Sequence, residues 1–213
     1  MTPNNEHKKF LYTIKIELVG SEPLIWRRIL IPSDTTFFAL HIAIQDSFGW
    51  TDSHLHQFHT KTPYGRDRDY IIISFPYPDP EFNDEVKPRD ERSERVSQWL
   101  KKVKDGVYYE YDFGDGWIHK ITLEQIEDYK TGKYPKLIDG KNACPPEDCG
   151  GLGGYGHLLE VLSNPKHDEY EDMLEWLDME PEERLDPTKY IPVRIRFSDA
   201  KKELKRYEKG FNS

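Results

Sequence analysis

Cysteine, methionine and long apolar runs are what this chain has least of. Two cysteines and three methionines occur in 213 residues. A disulfide framework is therefore not what holds the fold, and a chain of this length can bury a core without one. No apolar run approaches the roughly 18 residues that a membrane span needs, and mean hydropathy is −0.82. No membrane segment is expected. Residues 1–9 are polar, lack the apolar centre of a signal peptide and read as a flexible tail. Two cysteines without such a signal predict a reducing, cytoplasmic setting, in which pairing Cys144 with Cys149 is their lesser use.

Positive charge is also in short supply. The net charge is −9, and residues 143–189 alone hold thirteen acidic against three basic side chains. An acidic surface repels a phosphate backbone, which disfavours nucleic acid as a partner. A basic stretch at Lys201, Lys202, Lys205 and Arg206 is the exception, and its simplest use is the solvated face of a terminal helix. Aromatics are not scarce. At 13% they are too many for a disordered chain.

Residues 10–208 read as one α+β domain, with a largely antiparallel or mixed sheet and helices packed on it. Residues 10–19 alternate as a half-buried strand, and 24–31 are its hairpin partner after the break at Gly20 and Pro23. A helix follows to Phe48, capped at Ser33 or Asp34 and ended by Gly49. With a strand near 53–60 this order suits a β-grasp-like N-terminal part. A short strand at 70–73 precedes a Pro-rich, charged stretch, 76–95, expected as a long exposed loop. Val96, Trp99, Leu100 and Val103 mark a short helix. Residues 129–142 give no clear pattern. An acidic segment, 143–179, combines a Cys-Pro-Pro loop, a helix starting near Gly154 and a second helix over 169–179. A last strand at 192–197 and a helix at 199–207 close the chain.

The strongest local signal is the run 108–124. Two Tyr-, Ile- and Thr-rich extended stretches flank Asp115-Gly116, a hairpin dipeptide. A two-residue turn there sets Asp112 opposite His119, a carboxylate against an imidazole. Such a pair, with Asp115 beside it, suits acid–base work or metal ligation; the alternative is a structural turn. Cys144 and Cys149 stand four residues apart, wide for a zinc knuckle, and no second cysteine pair exists. A mixed site for zinc or another divalent metal would draw on Asp112, His119, His54, His56 and the two cysteines, with Asp115 or Glu147 as general base. The alternative is a prolyl loop with small buried thiols. Gly151, Gly153 and Gly156 fit the G-x-G-x-x-G spacing of a dinucleotide-binding turn, but Glu147 and Asp148, which would repel phosphate, precede them where a strand should be. Arg27 and Arg28 beside Trp26 could grip an anion, though on a strand they point to opposite faces. Tyr111 and Trp117 are candidates for the wall of a ligand pocket.

Five motifs in one order carry a likeness: Trp26-Arg27-Arg28, His54-Leu55-His56-Gln57-Phe58, Tyr111-Asp112-Phe113-Gly114-Asp115, Trp117-Ile118-His119 and Cys144-Pro145-Pro146-Glu147-Asp148-Cys149-Gly150-Gly151. From about Phe10 to Leu177 the chain resembles the plasmid pRiA open-reading-frame-three-like family. The resemblance implies the α+β fold and a largely uncharacterised group, some of whose members carry a resolvase-like label as mobile-element proteins. It implies no activity. Three readings follow: a binding or interaction module for a small molecule or protein, a metal-dependent hydrolytic enzyme, and a nucleic-acid accessory of a mobile element.

Overall fold

The structure, a computed structural model, describes residues 8–61, 71–76, 88–180, 186–189 and 195–210. Residues 1–7 of the expected tail, 77–87 of the expected loop and 192–194 of the expected last strand lie outside them. Residues 195–197 are not strand.

Among the described residues, eight strands form one mixed sheet and five helices accompany it, an α+β architecture. In chain order these are β1 (Phe10–Leu18), β2 (Trp26–Pro32), α1 (Phe37–Phe48), β3 (His56–His59), β4 (Ile72–Ser74), β5 (Arg89–Asp90), α2 (Val96–Trp99), β6 (Gly106–Tyr111), β7 (Trp117–Asp128), β8 (Lys136–Lys141), α3 (Gly151–Ser163), α4 (Tyr170–Trp176) and α5 (Ala200–Gly210). The sheet runs β5-β4-β3-β6-β7-β1-β2-β8. Neighbours are antiparallel except β4 and β5. The opening order β1, β2, α1, β3 is the one the sequence predicts, with the β6–β7 hairpin inserted between β1 and β3 in the sheet.

Alternation builds the core. Tyr12, Ile14, Ile16 and Leu18 of β1 share a buried face with Ile29 and Ile31 of β2. Ten of the twelve residues of α1 are buried, so this helix lies inside the molecule rather than on it. Thr36 caps it, its hydroxyl accepting from the Ala39 amide at 3.2 Å. The expected cap Ser33 instead accepts from the Phe10 amide at 2.9 Å.

The central hairpin has another register than the Asp-Gly dipeptide predicts. Tyr111 faces Trp117 and Tyr109 faces His119, so residues 112–116 form the turn and Asp112 is not opposite His119. The reason is parity. A two-residue turn would pair odd-numbered with even-numbered positions and send Tyr109 and Tyr111 to the face away from Trp117 and His119. The longer turn puts all four in the core, where each is fully buried.

Three further differences have local causes. Residues 136–141 are a strand, because this polar edge strand pairs with β2 while staying mostly exposed and so lacks an apolar alternation. Part of the expected exposed loop is integral: Arg89 and Asp90 pair with β4, and Glu91 is fully buried. Helix α3 starts at Gly151 rather than near Gly154. A side chain at Gly154 would stand 1.7 Å from the Cys149 carbonyl oxygen, so glycine lets the first turn fold back on the loop.

Candidate functional site

The turn after β6 and the Cys-Pro loop before α3 come together. Gly150 donates its amide to Asp115 Oδ2 at 3.2 Å. Glu147 accepts from the Tyr111 hydroxyl at 2.5 Å and from the amide and hydroxyl of Thr51 at 2.8 and 2.6 Å. Trp50 Nε1 donates to the Pro145 carbonyl at 3.0 Å. Burial first, and then the Glu147 carboxylate, holds the Tyr111 phenol well above its usual range. Both predicted general bases, Asp115 and Glu147, thus serve here to fasten loop to hairpin.

Several predicted ligands also meet, in a different combination. His54 Nε2 lies 2.9 Å from Asp148 Oδ1 and 3.8 Å from Asp112 Oδ2. Ligand atoms of these three residues stand within 4.8 Å of one another. Asp112 and Asp148 both hold positive φ, at 55° and 60°, a conformation that Asp tolerates better than most residues and that aims their side chains across the loop. His119 is elsewhere. It is fully buried against the rings of Phe48, Trp50 and Tyr109 at 4.7, 5.3 and 5.5 Å. Burial drives its pKa down to about 3, so it is neutral at ordinary pH. Cys144 and Cys149 are free thiols, Cys149 pushed by burial up to about 11 and Cys144 raised further by the same cause. Neither joins a group of three metal-capable side chains among the described residues.

The anion-gripping candidates are occupied. Arg27 is buried, and its guanidinium donates to the carbonyls of Ser47, Trp26, Lys141 and Asn142 at 2.9–3.0 Å. Arg28 is paired with Glu124 at 2.6 Å and Asp139 at 2.8 Å. Tyr111 and Trp117 are fully buried in the core. Lys201, Lys202, Lys205 and Arg206 lie exposed on α5, with Arg206 meeting Glu203 at 3.2 Å.

Concavity lies one layer outward. A cleft of about 340 Å³ opens between the Cys-Pro loop, α3 and α4. Asp148, His157, Glu169, Asp172 and Trp176 line it, together with Cys149, Gly154, Leu158 and Met173. His157 Nε2 and Glu169 Oε2 are 2.8 Å apart. The acidic bias of residues 143–189 hinted at this wall, but nothing in the sequence says that α3 and α4 face each other across the loop.

A second polar group, which sequence reasoning saw only in part, is buried beneath α1. His41 stacks on His56, and Asp52, Glu91 and Tyr109 surround the pair. Burial, reinforced by His56, lowers the pKa of His41. Burial, the largest single influence, opposes the charge of Asp52, yet the hydrogen bond and charge of His41 together with the Tyr207 hydroxyl outweigh it and hold that carboxyl below its usual range. His56 was a candidate from its motif. His41 gave one faint signal, a histidine in the otherwise apolar heart of a helix.

The comparisons agree with the motifs. The chain is 38% identical over 167 residues to the uncharacterized protein y4hQ of Sinorhizobium fredii (strain NBRC 101917 / NGR234), an alignment that covers 76% of this chain and 78% of that one. The structure of this chain is similar to the crystal structure of a protein of unknown function, MM3350, from Methanosarcina mazei Go1. There the TM-score is 0.73 at 36% identity, over 89% of this chain and 98% of the other. Residues 11–190 match the description "Plasmid pRiA4b ORF-3-like protein", and the chain belongs to that family.

Proposed function

We propose that this chain is a cytoplasmic binding module, and that its cleft takes a cationic group: a small amine or guanidinium compound, or a basic side chain of a partner protein. The composition of the wall carries this reading. Asp148, Glu169 and Asp172 bring carboxylates beside the apolar surface of Leu158 and Met173, and Trp176 is left 48% exposed. A cation gains from ion pairing and from the indole face, and an alkyl chain gains from the apolar lining. The volume falls within the ordinary range of small-molecule sites, about 300–1,000 Å³. Titration with arginine methyl ester, spermidine and a lysine-rich peptide, followed by Trp fluorescence, tests it. Saturable binding of at least one probe, weakened about tenfold by Asp172→Asn and by Trp176→Ala, is expected. Flat titrations with all three would end it.

A second reading rests on Asp148, which lines the cleft and also belongs to the group with His54 and Asp112. A divalent cation held by those three would make the cleft the site of a metal-dependent hydrolase, the metal supplying an activated water. Metal-dependent turnover of an ester or phosphoester, abolished by Asp112→Asn with amine binding intact, would favour it. Salt-sensitive DNA retardation, lost when the α5 lysines are replaced, would favour the nucleic-acid reading over both.

A further inference from the structure

The interior beneath α1 holds more polarity than the cleft explains. The rings of His41 and His56 lie 3.4 Å apart with 4° between their planes. His41 Nε2 is 2.9 Å from Asp52 Oδ1, and His56 Nε2 is 2.9 Å from Glu91 Oε2. His41 and Glu91 are fully buried and His56 is 1% exposed. Among the described residues, Asp52 Oδ2, His56 Nδ1 and Glu91 Oε1 have no hydrogen-bond partner. Arg206 reaches Asp52 Oδ2 only at 4.0 Å, from a side chain 67% exposed. Two carboxylates and two imidazoles enclosed in this way present an excess of lone pairs and of negative charge. Burying such groups without compensation is costly.

We propose that His41, Asp52 and His56 are the ligands of a closed site for a divalent transition metal of the zinc type, and that Glu91 orients His56 from behind. Ligand atoms of the three residues lie within 4.8 Å of one another. Ligands of one ion, each bound at about 2.0–2.2 Å, stand at most about 4.4 Å apart, so binding draws these donors closer by no more than a few tenths of an ångström. Imidazole with carboxylate is a donor set that suits zinc, cobalt or nickel and not calcium. The unpartnered Nδ1 of His56 is the donor, which leaves its Nε2–H for Glu91, the usual carboxylate support of a ligating histidine. The His41 ring is fixed from its other edge by the Tyr109 hydroxyl at 2.8 Å, itself held by Gln45 Nε2 at 2.9 Å. One divalent ion balances the charges of Asp52 and Glu91. Parallel rings aim their lone pairs along parallel lines, so binding tilts one imidazole out of the stack. The burial assigns the ion a structural task, joining α1, the segment before β3, β3 itself and the segment before α2. Tyr207 adds α5, its hydroxyl donating to Asp52 Oδ1 at 2.5 Å.

The test starts from full-length protein stripped with a chelator. Zinc is titrated in competition with a chromophoric chelator, and cobalt(II) is added to a second portion for its visible spectrum. One equivalent of zinc, a raised Tm and cobalt d–d bands without a thiolate charge-transfer band are expected. Affinity falls about 100-fold in His56→Gln and in Asp52→Asn and is unchanged in His54→Gln, which touches the other candidate group. No uptake, uptake unaltered in His56→Gln, loss in His54→Gln, or a thiolate band pointing to the Cys-Pro loop would each overturn the proposal. If either buried variant fails to fold, zinc X-ray absorption on the native protein decides: two imidazoles with oxygen donors uphold the site, whereas a single imidazole or any sulfur donor refutes it.

Discussion

His119 is a base in a place where charge is penalised. Its pKa is held at about 3 by burial, against an unfolded value near 6.5. The fold therefore keeps it neutral, and the stability this represents is complete above pH 6.5. As pH falls from 6.5 towards 3 the unfolded chain takes up a proton that the folded chain refuses, and stability declines by up to roughly 4 kcal/mol. Urea denaturation from pH 7 to pH 4 should show this loss, and His119→Leu should lower the slope by about one proton; an unchanged slope would place the titration on other groups. Two neighbouring glycines make a sharper contrast. At Gly154 an added Cβ meets the Cys149 carbonyl oxygen at 1.7 Å, whereas at Gly153 nothing lies within 4 Å. Gly154→Ala should cost about 2 kcal/mol or more, while Gly153→Ala, in the same helix, should stabilise by about 0.5–1 kcal/mol. Thermal melts of the two variants, moving in opposite directions, check both the contact and the start of α3.

Elements here are joined by side chains that reach into backbone. Arg27 leaves β2 and binds the Ser47 carbonyl in the last turn of α1, together with the carbonyls of Lys141 and Asn142 at the end of β8. A guanidinium can serve several acceptors in fixed directions and an ammonium cannot. Arg27→Lys should therefore destabilise by about 2 kcal/mol by leaving buried carbonyls short of donors, and hydrogen exchange should quicken at β8 and at the end of α1 before it does in β1. Equal protection in both regions would mean that the clamp is redundant. The Cys-Pro loop is tied in the same manner by Glu147, and Tyr111→Phe removes both the hydroxyl that donates to it and the acceptor of the Ser53 amide. Faster exchange over 51–53 and 144–150, with the rest unchanged, is the expected signature.

At the scale of the molecule, the legible part of the fold is what alternation and capping write locally. Tyr12 to Leu18, the apolar run of α1 and the paired aromatics of β6 and β7 declare their elements. Parity between the hairpin arms was not legible, because Asp115-Gly116 is a strong turn signal and only the burial of Tyr109 with His119 overrules it. Strand β8 was hidden because an edge strand needs no apolar face. The family was readable from the motifs, but the site was not, since its parts are far apart in the chain. Asp112 finds His54 and Asp148 rather than His119, and His56 finds His41 and Glu91. These meetings depend on how α1 and the 88–95 segment lie over the sheet, which no local pattern encodes.

An open sheet has two ends, and the ones described here are poor templates for a further strand. On one side β5 is only two residues long. On the other, β8 exposes most of Lys136, Leu137, Ile138, Asp139, Gly140 and Lys141, with a lysine at each end, an aspartate between them and a register shift against β2. Charge and irregularity at an edge oppose pairing with a second copy. The protein should sediment as one species at high concentration and give no amyloid-dye signal on mild heating. Replacing Lys136, Asp139 and Lys141 together with valine should turn this margin into a nucleus for aggregation, visible as light scattering well below the melting temperature. The residues of β8 that contribute least to the core are thus expected to act chiefly against self-association.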